Sequence, residues 1–456
     1  MSPVFVRRVR LPASAETAFA WHERPGAFER LGPPWRDVKV VERTGGIRDG
    51  ARVTLDLGFP VRHWSLEHHG YEAGRVFRDR QRSGPFARYE HTHTFEPNGD
   101  HCILEDRIEY EPPLPPLGRL GAPIIDAQFD ALFAWRHNVT RWDLERQRAR
   151  ESRPLTVAVT GASGMIGSAL TAYLTTQGCT VKQLVRRATR DAREIEWDPA
   201  RGVLNPAALS GVDAVVHLAG AGIADAPWTA ARQRELVDSR VLSTGLLART
   251  LAEMPGKPAV LVSTSAIGWY GDRGEEVLDE TSAPGHGFLA ELGQRWESAA
   301  VPASEAGIRV VHPRIGVVLW PRGGALSKLI TPTRFGVGGP LGNGRQWWSW
   351  VTLHDLLDML LHAIDTPELS GPFNAVAPEP ARQRDVAATL GRVMGRPAFI
   401  PAPAFALRAL LGRGMADGVL LAGQRLTPGV LGQTGFEHRD PHLGPALALM
   451  LGRRAA

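Results

Sequence analysis

Gly161, Gly164 and Gly167 in "TVAVTGASGMIGSAL" stand after a short apolar run and before a run of helix formers. A tight turn between strand and helix aims backbone N–H groups and the positive helix N-terminus at a pyrophosphate. A side chain at any of the three glycines would block the turn, the phosphate approach or the helix packing. The next apolar run ends in "LVRR". In dinucleotide sites an acid near this point takes the ribose 2′-hydroxyl, whereas an arginine accommodates a 2′-phosphate. Arg186 and Arg187 therefore point to NADP, with NAD the poorer fit.

His91 and His93 in "YEHTHTF" fall on one face of a strand at a spacing that suits a metal ion. Such a site needs a third and usually a fourth ligand. His63, His68, His69 and His101 keep no fixed spacing with the pair, so no metal is expected. Trp347, Trp348 and Trp350 in "NGRQWWSWV" are dense enough to stack against a ligand or base, and Arg345 beside them suits an anionic group. Cys102 and Cys179 are isolated, which excludes a disulfide framework and a CxxC metal site. The lack of a G-x-S-x-G elbow removes acyl transfer.

These groups need a scaffold. From Leu155 onward, apolar strands (LTVAVT, TVKQLVRR, DAVVHLAG, AVLVSTSA, IRVVHPRIGVVL) alternate with helix-length segments, which predicts a doubly wound parallel sheet with helices on both faces. The glycine loop then lies at the carboxyl edge, where open α/β sheets bind ligands. Beyond about residue 320 a Gly-, Pro- and Trp-rich tail is expected to pack over that edge as a small α/β subdomain.

Residues 1–150 read differently. The segments VFVRRVRL, DVKVVERT, ARVTLDLG, HWSLEHHGY, RYEHTHTFEP and CILEDRIEYEP are strand candidates. After the break EPPLPPLG, Ile125, Phe129, Leu132, Phe133, Val139 and Trp142 recur at helical spacing. The pattern predicts an α+β domain in which a curved antiparallel sheet grips one long helix, with ERQRARESR as the linker that follows.

At 456 residues the chain exceeds a single core. Apolar residues at 43% and charged residues at 22% suit a soluble protein, and no run is long enough to span a bilayer, so the cytoplasm is the expected location. The net charge of +5 comes from arginines scattered among acids, which does not suit nucleic-acid binding. Only Lys39, Lys182, Lys257 and Lys328 are lysines.

The motifs TGASGMIGSAL, VVHLAGAGIAD, DSRVLSTGLL, VSTSAIGWYGD, HPRIGVVL, GGPLGNGRQWWSWVTLHDL and QRLTPGVLGQTGF together resemble the extended and atypical short-chain dehydrogenase/reductase superfamily. The resemblance is closer to the epimerase-family oxidoreductases of unassigned activity, the group that includes the human family 39U member. It implies a Rossmann domain over about 154–380 and a C-terminal domain of unknown function over about 390–440. The first 150 residues resemble the START-like helix-grip (SRPBCC) domains grouped with polyketide cyclases, which implies a cavity for a lipid-like or aromatic ligand.

By the same resemblance Ser163, Met165, Ile166, Leu218, Ala219 and Gly220 would lie against the dinucleotide, Asp198 would reach the adenine, and Pro313 would border the nicotinamide. Ser265 occupies the place of the serine that holds the substrate oxygen. The usual partner pair, a tyrosine with a lysine four residues on, is missing, because none of the five tyrosines has such a lysine. Phe288, Leu289, Leu292 and Gly293 occupy the corresponding helix instead. Tyr270, His286 and Glu291 are the candidates to carry the proton, with Tyr270 joining Ser265 as the catalytic pair. The expected function is NADP-dependent oxidation, reduction or epimerisation of a small carbonyl or hydroxyl compound. The competing expectation is a non-catalytic NADP(H) sensor.

Overall fold

The computed structural model describes residues 3–58, 62–113, 121–150 and 154–453. Parts of the Pro-rich break and of the expected linker, at 114–118 and 151–153, lie outside the described residues. The chain divides into two compact units, Met1–Pro154 together with Ala172–Gly178 and Gly452–Arg454, and Leu155–Thr171 together with Cys179–Leu451.

The first unit holds strand β1 (Val4–Leu11), helices α1 (Ala15–Glu23) and α2 (Ala27–Leu31), strands β2 (Lys39–Thr44), β3 (Arg52–Asp56), β4 (His63–Glu72), β5 (Val76–Ser83), β6 (Arg88–Asn98) and β7 (His101–Glu111), and helix α3 (Ala122–Ala149). The strands form one antiparallel sheet in the order β1-β7-β6-β5-β4-β3-β2. Helix α3 covers it as the apolar spacing predicts: Phe129 and Phe133 pack on Val53, Leu55, Leu66, Tyr89, Ile108 and Tyr110. This is a helix-grip arrangement. Sequence reading missed β5, whose "VFRDRQRS" crowds charges into the alternation that marks a half-buried strand.

The second unit contains β8 (Thr156–Thr160), the first turns of α4 (Met165–Thr176), β9 (Thr180–Val185), β10 (Glu194–Asp198), β11 (Val203–Leu204), β12 (Ala214–His217), α5 (Ala230–Glu253), β13 (Val260–Ser263), β14 (Ser265–Ala266) and α6 (Phe288–Ser298), and then the strands Arg309–Ile315 and Gly371–Ala375. The pairings β10·β9, β9·β8, β8·β12 and β12·β13 are parallel, as are those that continue through Arg309–Ile315 to Gly371–Ala375. Chain direction across the sheet reverses between β8 and β12, the switch point at which ligand crevices open in this fold class. Ala158, Val215 and Leu261 from the sheet meet Leu247 and Leu251 of α5 in the core.

The segment IRVVHPRIGVVL is two strands, not one. Gly316 breaks it, since a Cβ there would sit 2.4 Å from the Ser349 carbonyl oxygen, and Val317–Trp320 leaves to pair in parallel with Trp350–Thr352. The tail returns at Arg425–Leu426, which pairs in parallel with Val277–Leu278, and the Ser349 hydroxyl donates to the Gln424 carbonyl at 2.7 Å. This weave holds the tail on the carboxyl side of the sheet.

Candidate functional site

The glycine loop joins β8 to α4 as a close-packed turn. Gly161 has φ +67°, and a Cβ there would lie 3.0 Å from backbone atoms of Leu218 and Ala219. At Gly167 a Cβ would fall 2.1 Å from the Gly161 carbonyl oxygen, so the helix and the loop touch backbone to backbone. Gly164 has more room, with Gly161 O the nearest atom at 3.3 Å. Ser163 and Gly164 are exposed at the mouth, Met165 and Ile166 are half-buried, and Gly167 is buried.

Beneath the loop runs a buried chain of hydrogen bonds. Thr160 Oγ1 accepts from the Leu218 and Ala219 amides at 3.0 and 3.1 Å, so its own hydrogen goes to His217 Nδ1 at 2.7 Å. The other ring nitrogen, Nε2, then donates to Ser243 Oγ at 3.2 Å, and Ser243 donates to the Ser239 carbonyl at 2.7 Å. Burial, helped by the Arg240 charge, pushes the His217 imidazole down to about 3 and keeps it neutral. The 218–219 amides are thus spent on holding the loop, and only the exposed surface of Gly220 and the partly exposed Leu218 and Ala219 face outward. Beside Gly220 stands Arg240, a group that sequence reading left without a role in "DSRVLSTGLL". A Cβ on Gly220 would lie 3.1 Å from Arg240 Cζ, and burial, then the charge of Arg232, lowers this guanidinium to about 10.

The two arginines after β9 divide. Both are exposed, but Arg187 clamps Glu194 through two bonds of 2.7 and 2.5 Å. Among the described residues Arg186 has no side-chain partner, and it is the free cation of the pair. Asp198 is occupied too: its carboxylate accepts from the Ala200 and Arg201 amides at 3.0 and 3.2 Å and closes the turn after β10. Pro313 is buried in its strand opposite Phe373.

The expected catalytic pair lies inside the protein. The Ser265 hydroxyl donates to Glu297 Oε1 at 2.7 Å, and Arg314 binds both oxygens of the same carboxylate at 2.9 Å. Arg314 also donates to the Tyr270 hydroxyl at 2.9 Å, which in turn donates to Asn374 Oδ1 at 2.8 Å. Ser265 is 2% and Tyr270 0% exposed. Burial raises the Tyr270 phenol to about 12 against the opposing charge of Arg314. Tyr270, expected to reach toward a nicotinamide from its place on the loop after Ser265, has its ring enclosed and its hydroxyl shared between Arg314 and Asn374. Of the other proton-carrying candidates, His286 and Glu291 are exposed. Phe288 meets the Trp228 ring at 5.0 Å, and Leu292 is buried, so the helix that would carry a tyrosine and lysine presents apolar groups.

The tryptophans are packing groups. The guanidinium groups of Arg382 and Arg425 stand over the Trp347 ring at 4.0 and 4.6 Å, and Trp350 is 0% exposed. Arg345 is exposed beside them.

The sequence spacing around His91 and His93 names no acid beside them, and the structure places two there. Antiparallel register places Asp79 of β5 opposite His91 and Asp106 of β7 opposite His93. Asp79, His91 and His93 thereby gather as a buried cluster. The interior between sheet and α3 therefore mixes this polar cluster with aromatic rings and is not uniformly apolar.

Residues 157–376 match the NAD dependent epimerase/dehydratase family, residues 402–450 a domain of unknown function (DUF1731), and residues 2–135 the polyketide cyclase/dehydrase and lipid transport family. An epimerase family protein of Mycobacterium bovis is 42% identical over 291 residues, which cover 64% of this chain and 96% of that one. The crystal structure of a nucleoside-diphosphate sugar epimerase from Corynebacterium glutamicum superposes with a TM-score of 0.81 at 32% identity, covering 99% of this chain and 91% of that one. The human epimerase family protein SDR39U1, solved with NADPH, gives a TM-score of 0.60 at 34% identity over 65% of this chain and 99% of its own. The likeness to the human protein covers about two thirds of this chain, whereas the corynebacterial one covers nearly all of it, and on these matches the chain belongs to the NAD dependent epimerase/dehydratase family, with a polyketide cyclase-like domain at its N-terminus.

Proposed function

We propose that the second unit binds NADP(H) at the glycine loop and uses it to oxidise, reduce or epimerise a small carbonyl or hydroxyl compound. The observation that carries this reading is the backbone contact at Gly161 and Gly167 with an unpaired Arg186 at the end of the neighbouring strand. Residues 161–167 would hold the pyrophosphate, Arg186 the 2′-phosphate, and Arg240 a further anionic group beside Gly220. The cofactor supplies the hydride. His286, exposed just beyond the Tyr270 loop, replaces Tyr270 as the proton carrier in this reading, and Ser265 with Tyr270 positions the loop through Glu297 and Arg314. Nucleoside-diphosphate sugars are the first substrates to try, given the corynebacterial relative. The functional division follows at 1–150, 154–380 and 390–440, with an aromatic or lipid-like ligand for the first part.

The enclosure of both Ser265 and Tyr270 favours a second reading, a protein that senses the NADP(H) pool without turnover. Calorimetric titration with NADPH, NADP, NADH and NAD tests the first step. Tight NADPH binding that weakens about tenfold or more in Arg186→Ala supports the site, as loss of a charged hydrogen bond requires. Absence of binding by all four removes both readings. NADPH consumption or sugar epimerisation in a substrate screen, abolished in His286→Ala, then separates enzyme from sensor.

A further inference from the structure

The dinucleotide reading makes no use of the buried histidines of the N-terminal domain, yet their geometry is more ordered than packing requires. Asp79 Oδ2 lies 3.3 Å from His91 Nδ1 and 3.5 Å from His93 Nε2. All three ligand atoms fall within 4.8 Å of one another. Around a tetrahedral zinc ion with bonds of about 2.0–2.1 Å, ligand atoms are separated by about 3.3 Å. The spacing already suits an ion without movement of the backbone.

The far side of each ring is equally specific. His91 Nε2 and His93 Nδ1, the nitrogens turned away from Asp79, both lie 2.8 Å from Asp106 Oδ1. The His91 contact is an aligned hydrogen bond; His93 Nδ1 is close without that alignment. The second Asp106 oxygen takes His137 Nε2 of α3 at 2.6 Å. A carboxylate behind a metal-binding histidine fixes the tautomer and leaves the opposite nitrogen's lone pair free for the metal. The rings are also held in place by neighbours, with Phe77 stacked on His93 at 4.1 Å and Phe133 edge-on to His91 at 5.3 Å. His68, paired with Asp79 in the β4·β5 register, keeps Nδ1 buried without a hydrogen-bond partner.

Charge points the same way. Asp79 is 7% and Asp106 2% exposed, and buried carboxylates need a cation or strong donors beside them. We propose that Asp79, His91 and His93 form a divalent-metal site of the zinc type inside the N-terminal domain, with Asp106 as the positioning residue that orients both histidines. Three protein ligands leave one tetrahedral position for a non-protein ligand, the pattern of an open rather than a closed zinc site.

The test uses the full chain, stripped with chelator and titrated with Co(II) as a spectroscopic probe, then with Zn(II) as competitor. The site requires one Co(II) per chain, with the intense visible absorption of a four-coordinate ion, displaced by Zn(II). Asp79→Asn and His93→Gln abolish that band, Asp106→Asn weakens Co(II) binding about 10–100-fold, and His63→Gln, on an exposed position of β4, leaves it unchanged. Far-UV circular dichroism and a cooperative thermal unfolding of the first unit report whether each variant is folded. If the core variants fail to fold, the unaltered chain decides: Zn(II) must raise the unfolding temperature of the stripped protein and Co(II) must give the band. A wild type that takes up no Co(II), or whose uptake survives both Asp79→Asn and His93→Gln, overturns the site and leaves a cluster that carries only protons.

Discussion

The Thr160 hydroxyl donates to His217 Nδ1 across 2.7 Å, joining the end of β8 to the end of β12 at the point where the sheet changes direction. Because His217 is held neutral with its pKa near 3, the folded protein refuses a proton that the unfolded chain accepts at about 6.5. The stability linked to this residue is complete above pH 6.5 and is lost as the pH falls toward 3. By linkage the loss reaches about 2 kcal/mol at pH 5. His217→Asn keeps an acceptor for Thr160 and does not titrate, so its unfolding transition for the second unit should fall less steeply between pH 6.5 and 5 than that of the wild type, measured by calorimetry.

Gly167→Ala and Gly164→Ala should behave differently. The first drives a methyl against the Gly161 carbonyl oxygen at 2.1 Å, where only backbone can yield, and should lower the unfolding temperature and remove NADPH binding together. At Gly164 the nearest atom is 3.3 Å away, so the variant should stay folded while its dinucleotide affinity drops. Equal stability losses in the two would mean that the loop is less tightly closed than the backbone contact implies.

Tyr270→Phe removes a hydroxyl that serves Asn374 and Arg314 at once. Leaving buried partners unpaired costs about 1–3 kcal/mol. Urea unfolding should show that loss, while NADPH affinity stays the same. A variant with unchanged stability and abolished turnover would return Tyr270 to a catalytic role.

Glu297→Gln leaves Arg314 buried at 3% side-chain exposure without its counter-charge. Removing one partner of such a pair costs about 3–5 kcal/mol, whereas replacing both with apolar groups of similar size is often neutral. Glu297→Met combined with Arg314→Met should therefore recover most of the stability that Glu297→Gln loses. Thermal unfolding of the single and double variants checks the order.

Arg187→Ala breaks an exposed ion pair with Glu194, which water and salt screen, so stability should change little. The NADPH over NADH preference should survive in Arg187→Ala and fall in Arg186→Ala. Parallel titrations of the two single variants, which no double variant can replace, distinguish the free cation from the clamped one.

The sequence alone determined what depends on neighbours along the chain. A strand, three spaced glycines and a helix specify the turn at Gly161–Gly167, and apolar spacing from Ile125 to Val139 specifies a helix that must be covered. Period and turn chemistry are local, so they can be read without a fold. The outcomes that reading missed are those in which distant segments compete for one polar atom. "LVRR" does not reveal that Glu194 takes Arg187 and leaves Arg186, nor does "GWYGD" reveal that Arg314 and Asn374 saturate Tyr270. Likewise "HTH" shows two imidazoles on one face, but the acids reach them only through strand register. Asp79 precedes His91 along the chain on a strand too charged to recognise, and Asp106 follows on the next. Hydrogen bonding across the sheet, acting between residues far apart in sequence, decided which side chains stayed free and which were enclosed.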